Sequence, residues 1–293
     1  AHNRTVAGNV VGSDGRSLDK YTIEFVGTGG GATNSKATIE GGSFTTNLAP
    51  GSYKIIIDQP GDVPSKYVYN GTITVPVGRD PAALDITAQL KVLVNLAVTA
   101  NGEGLKASGE NSIRFVGPEN IEIDASEDSV YLAPGNYTIY TLIRDGENRF
   151  ADLRSVDIEE GSELDIVTTA AKAINGEVLD EDDNPLKGTS TVTVISGDAE
   201  LPIQTSSDGK FQVYLPDGSY TVEAEQAMKK AVDETQRYVV YRGQEDVTMS
   251  GANVPLAIGT NWTYDKVTLR GNITNSFSGT LEFTALSETA IDT

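Results

Sequence analysis

The sequence contains no cysteine, and that absence excludes a disulfide framework, a thiolate zinc site and a cysteine nucleophile. It holds one histidine, His2, near an end, so His-rich metal centres and Ser-His-Asp triads lack their imidazole. Positive charge is scarce too. The 22 Lys and Arg face 42 Asp and Glu, a net charge of -20 that repels phosphate backbones and anionic lipid, so no nucleic-acid partner is expected. No apolar run approaches the ~20 residues of a membrane helix, and no direct membrane insertion is expected of this segment. The first residue is Ala1 rather than Met, consistent with a processed or recombinant piece.

What is present is a repeat. Leu48-Ala49-Pro50-Gly51-Ser52-Tyr53-Lys54-Ile55 returns as Leu132-Ala133-Pro134-Gly135-Asn136-Tyr137-Thr138-Ile139 and as Leu215-Pro216-Asp217-Gly218-Ser219-Tyr220-Thr221-Val222. The tyrosines lie 84 and 83 residues apart, the length of a small β-sandwich. An apolar alternation opens each unit, as in Val6-Ala7-Gly8-Asn9-Val10, Leu93 to Val98, Ile174-Asn175-Gly176-Glu177-Val178 and Leu269-Arg270-Gly271-Asn272-Ile273. The units expected are 1–90, 91–171, 172–260 and the start of a fourth over 261–293, in what reads as a piece of a longer tandem array.

Within each unit, apolar and polar residues alternate with period two and Val, Ile, Thr and Tyr abound, the pattern of half-buried strands. Turn dipeptides such as Asp14-Gly15, Asp145-Gly146 and Asp208-Gly209 punctuate them. The expected fold class is all-β: tandem immunoglobulin-like or transthyretin-like antiparallel β-sandwich domains. Short connections between units imply an elongated, semi-rigid rod. The stretch Glu223 to Gln236 carries Ala, Met, Lys and Glu and has helix propensity against its strand context, so a short helix stays open there. In the repeated phrase, Gly51, Gly135 and Gly218 make the turn. Tyr53, Tyr137 and Tyr220 are then placed to bury their rings and offer their hydroxyls to backbone carbonyls.

The order of Gly-x-Val, an Asp/Asn/Gly-rich turn, Gly-x-Phe and Leu-x-Pro-Gly-x-Tyr resembles the carboxypeptidase regulatory-like domain, a transthyretin-like sandwich related to Cna-B repeats. The third unit carries it most fully, with Gly176-Glu177-Val178, Asn184-Pro185-Leu186, Gly209-Lys210-Phe211 and Leu215 to Val222. The second unit lacks the opening Gly and the Gly-x-Phe step. Tandem acidic sandwiches without Cys, rich in Thr and in sequons, look most like an archaeal surface-layer (S-layer) glycoprotein. Because Cna-B repeats can carry a Lys–Asn crosslink, the resemblance directs attention to Lys91, Lys172 and Lys266. Their position outside the apolar alternation reads instead as solvent-facing charge that protects an edge.

The remaining candidates are local. Asn3, Asn70, Asn136, Asn261 and Asn272 each open an Asn-x-Thr sequon and are candidate glycosylation sites. Asp180, Asp182 and Asp183 lie in an acidic run that offers oxygen ligands for Ca²⁺ but lacks EF-hand spacing, so a solvated turn is the plainer reading. Trp262 and Tyr264 are candidates for a carbohydrate contact, against packing as the simpler role. No acidic constellation recurs with the repeat, so no catalytic residue is nominated and no enzyme is expected. The sequence thus leads to an extracellular structural protein that self-associates into a porous cell-surface coat, with no cofactor beyond Ca²⁺. A secreted adhesin or carbohydrate-binding stalk is the alternative.

Overall fold

In the computed structural model the described residues are 3–58, 63–104, 111–232 and 235–264. All the regular structure among them is β. The chain divides into two compact units, Ala1–Thr169 and Ala170–Thr293.

Unit 1 opens with β1 (Arg4–Gly12), β2 (Thr22–Gly29), β3 (Ser35–Thr38), β4 (Ser43–Leu48), β5 (Gly51–Ile57), β6 (Ser65–Val75) and β7 (Leu84–Ala100). β1 lies between β4 and β7, and facing them is a sheet ordered β3-β2-β5-β6. Each inward alternate side chain enters one cluster that includes Val6, Val10, Phe25, Phe44, Tyr53 and Ile86.

The pattern then begins again. The second half of β7 leads into β8 (Glu103–Gly104), β9 (Ser112–Val116), β10 (Asn120–Asp124), β11 (Ser129–Leu132), β12 (Gly135–Asp145), β13 (Asn148–Ile158) and β14 (Glu163–Leu179). β7 now lies between β11 and β14, opposite β10-β9-β12-β13. A separate cluster fills this sandwich, including Val94, Ile113, Phe115, Leu132, Tyr137 and Ile166.

Unit 2 takes the rest of β14 as its first strand. It adds β15 (Thr191–Ser196), β16 (Ala199–Gln204), β17 (Lys210–Pro216), β18 (Gly218–Val232), β19 (Thr235–Met249), β20 (Val254–Gly259) and β21 (Asn261–Tyr264). β14 lies between β17 and β20, and the other sheet runs β16-β15-β18-β19-β21. One seven-strand plan thus occurs three times.

The expected all-β sandwich architecture is present, with one refinement of its strand directions. The sandwiches are not purely antiparallel: in each, the seventh strand runs parallel beside the first, as β7 does beside β1. After six reversals the seventh strand points the same way as the first, and by crossing to the first sheet it pairs with it in parallel. The helix left open over Glu223–Gln236 is not formed in the described part. β18 and β19 pair along their whole length, and burial of Val222, Ala224 and Gln226 on one face outweighs local propensity. The segment expected to begin a fourth unit enters the description only as β21, an edge strand on β19.

Candidate functional site

The repeated Pro-Gly-x-Tyr phrase makes one corner three times. Tyr53 donates its hydroxyl to the carbonyl of Ala49 at 2.8 Å, Tyr137 to that of Ala133 at 3.1 Å and Tyr220 to that of Pro216 at 2.9 Å. All three rings are buried. Gly51 (φ 154°) and Gly135 (φ 139°) sit where a side chain is strained, and a Cβ at Gly51 would lie 2.6 Å from the carbonyl oxygen of Gly29. Gly218 turns without a positive φ. These residues hold the corners of the fold.

A second device ties the first loop of a sandwich to its sixth strand. Tyr67 on β6 donates to Asp14 Oδ2 at 2.9 Å, and Asp14 Oδ1 accepts the N–H of Arg16. Desolvation works against ionisation of Asp14, but these donors and the Arg16 guanidinium outweigh it and hold the carboxyl below its ordinary range. In unit 2 the matching loop is the acidic run. Asp180 Oδ1 accepts the N–H groups of Asp182 and Asn184, both at 2.9 Å, which lowers its pKa and closes the turn. Glu181 pairs with Lys230 on β18, whose Nζ also donates to the Tyr241 hydroxyl at 2.8 Å. The same Nζ lies 5.3 Å from the ring centres of Tyr241 and Trp262.

This arrangement bears on the Ca²⁺ candidates. Asp180 is turned onto its own loop, Asp182 and Asp183 are exposed, and Asp183 is in the left-handed region (φ 61°). Among the described residues no three His, Asp or Glu side chains are grouped to hold a metal. Trp262 is half-buried under Lys230. The side chain of Tyr264 lies outside the described set.

The lysine reading is overturned at one position. Lys91 does not face solvent: its side chain is 16% exposed and pairs with Glu119. The other Glu119 oxygen accepts the N–H of Ala133 at 2.7 Å and lies 3.4 Å from the Tyr137 hydroxyl. Burial, with the Glu119 charge beside it, pushes the Tyr137 phenol well up. Alternation does not set this direction. Lys91 is on the face of β7 opposite the buried Val92 and Val94, beside Lys66 in the β6–β7 ladder, where Lys66 covers the Tyr131 ring at 4.1 Å. It is the Glu119 carboxylate that draws Lys91 in. Lys172 is exposed, and Lys266 lies outside the described residues.

The sequons fall into different settings. Asn3, Asn70, Asn136 and Asn261 are exposed, and Asn272 lies outside the described residues. Asn136 is engaged: its amide donates to Asp157 at 3.2 Å and accepts from Ser155 at 3.1 Å.

Sequence reasoning missed two features. One is the Glu181–Lys230–Tyr241 cluster, for which the only signal was a lysine at inward parity on an alternating strand. The other is a polar groove of about 780 Å³ on the outer face of the β15-β18-β19 sheet. Rows of Thr191, Glu225 and Arg242, then Thr193, Glu223 and Gln244, run across its three strands. The Arg242–Glu225 pair at 2.8 Å leaves the groove one net acid, Glu223. Hydroxyl, carboxylate and amide groups of this kind can hydrogen-bond a polar ligand, but no nucleophile and base are paired there.

No family model and no curated protein matches the chain. Similar solved structures include the Bacillus anthracis TIE protein, 14% identical over 88% of this chain and 51% of that one, with a TM-score of 0.26. A Streptococcal ancillary pilin is 12% identical over 88% and 99% (TM-score 0.23). BcpA, the major pilin subunit of Bacillus cereus, is 11% identical over 88% and 99% (TM-score 0.26). This chain spans about half the length of the TIE protein. At such identities and scores these likenesses say nothing about what this chain binds or does.

Proposed function

We propose that this chain is a structural, non-enzymatic segment of an extracellular cell-surface protein. One observation carries the reading: a single sandwich plan is built three times, and the polar side chains at its corners and loops are spent on holding those turns. An active site is singular, whereas this scaffold repeats and no reacting constellation repeats with it. The finer reading is a surface-layer coat, of the archaeal kind that the repeats resemble, assembled by self-association. A net charge of -20 opposes contact between copies, so assembly depends on screening or bridging cations such as Ca²⁺. Electron microscopy of the full-length native protein tests it: two-dimensional arrays on adding Ca²⁺ are expected. Monodisperse monomers under every ionic condition would remove the lattice reading.

A specific observation favours a second reading. The outer-face groove of unit 2 offers hydroxyls, carboxylates and an amide in cross-strand rows, a surface suited to a neutral hydroxylated ligand such as an oligosaccharide. Reproducible, competed binding on a glycan array, lost in Glu223→Ala, would favour an adhesin.

A further inference from the structure

The second sheet of a sandwich ends on its sixth strand, and that margin is only partly paired. In unit 1, β6 pairs with β7 from Ser65 to Val68, the last pair being Val68 with Gln89. Among the described residues, β6 beyond Val68 has a ladder on the β5 side alone. In unit 2, β19 pairs with β21 from Val239 to Arg242, ending at Arg242 with Asn261, and beyond Arg242 it has a ladder on the β18 side alone. The two margins therefore open at corresponding places.

A sequon stands at each opening. Asn70 is two residues past Val68, so the alternation puts it on the same face, and Thr72 shares that face and is exposed. Asn261 is itself the final ladder partner, and Asn261 and Thr263 are both exposed on their strand face. Among the described residues neither the Asn70 nor the Asn261 amide has a hydrogen-bond partner. The contrast with Asn136 is chemical. Its amide is held by Asp157 and Ser155, and the hydroxyl-bearing residue of its sequon, Thr138, is only 6% exposed.

We propose that Asn70 and Asn261 carry N-linked glycans, that Asn136 does not, and that these glycans cover the open margins of the two sheets. The inference rests on the extracellular reading above. The co-reactant is a phosphate-activated glycosyl donor with its transferase. The Asn Nδ2 forms a bond to the anomeric carbon, the anomeric C–O bond breaks with its electron pair leaving on the phosphate, and the amide nitrogen gives up one proton. An exposed strand margin with free N–H and C=O groups is a template for pairing with another chain, and a bulky hydrated group beside it blocks that approach.

The test uses protein recovered from the surface fraction of its native cells and digested with trypsin. Peptides 67–79 and 243–266 are expected to carry mass increments that fragment to sugar ions, with peptide 115–144, which contains Asn136, unmodified. Unmodified 67–79 and 243–266, or equal occupancy on 115–144, would overturn the site assignment while leaving the surface reading intact. Absence of the protein from the surface fraction would sink both. The N70Q/N261Q double variant from the same cells is expected to lose both increments and to self-associate at least several-fold more in sedimentation velocity. Unchanged association would overturn the covering role.

Discussion

Gly176 lies directly opposite Phe211 in the β14–β17 ladder, and the phenyl ring occupies the space that a side chain at 176 would need. Gly8 and Phe44 make the same cross-strand pair in the first sandwich, where a Cβ at Gly8 would meet the ring at 2.8 Å. The second sandwich lacks both members, and the β11–β7 register shows why they disappear together. The position matching Gly8 is Leu96, whose own buried side chain supplies the apolar group that the ring supplies elsewhere. Phe211→Ala is expected to cost about 3–5 kcal/mol, and Gly176→Leu alone about 1–3 kcal/mol by overpacking. The double variant should cost clearly less than the two added together, because the new Leu enters the vacated space. Denaturant unfolding of the chain and its variants checks this, and strict additivity would contradict the shared-space account.

The three tyrosine corners predict a shared effect, to which Tyr137 adds the loss of its 3.4 Å contact with Glu119. Tyr53→Phe, Tyr137→Phe and Tyr220→Phe each keep the buried ring and remove one hydrogen bond to a carbonyl four residues back, at an expected cost of about 1 kcal/mol. If all three variants unfold at the same denaturant concentration as the parent, the hydroxyl bonds are incidental to the corner.

Asp180 makes part of the stability acid-sensitive. Its folded pKa is lowered, first by the N–H of Asn184, so the carboxylate stabilises fully above its unfolded value of 3.8. That contribution is lost as pH falls from there through the lowered folded value. Asp180→Asn keeps an oxygen for the two N–H donors and cannot titrate. Unfolding midpoints measured from pH 5 downward should therefore fall less steeply in the variant. Parallel curves would show that this turn does not contribute to acid lability.

Gln226 is a buried polar residue with its partners identified. Its Oε1 accepts from Ser190 at 2.7 Å and its Nε2 donates to the Lys187 carbonyl at 2.8 Å. Gln226→Leu strands both groups and is expected to cost roughly 1–3 kcal/mol. Adding Ser190→Ala removes one stranded hydroxyl and should return part of that loss, as read by thermal unfolding.

Much of the architecture was legible because its signals are local. Period-two alternation marked the strands of β5, β6 and β17, and Asp-Gly and Pro-Gly pairs marked the reversals. Glu223–Gln236 was ambiguous because Ala, Met, Lys and Glu favour a helix in isolation. Its pairing partner β19 is set by the sheet. Lys91 was misread because alternation gives a face but not what stands beside it, and Glu119 reaches it from the turn between β9 and β10. The five sequons looked alike as triplets. Only the ladders separated Asn136, held by Asp157 and Ser155, from Asn70 and Asn261 at open margins.

The sequence by itself determined that this chain is all-β, acidic, free of thiol chemistry and built on a unit repeated every 83 to 84 residues. Each of these follows from residue type and short-range spacing, which act within a few residues of chain. The tertiary structure decided which charges are paired, which asparagines are free, that the first and seventh strands run parallel, and that one sandwich can replace a Gly–Phe pair with a leucine. Those outcomes depend on partners brought together from distant parts of the chain, such as Asn9 with Asp85 across the β1–β7 ladder and Glu181 in a turn with Lys230 on β18, 76 and 49 residues apart. Which partners meet is set by register and crossover, and no local pattern specifies either.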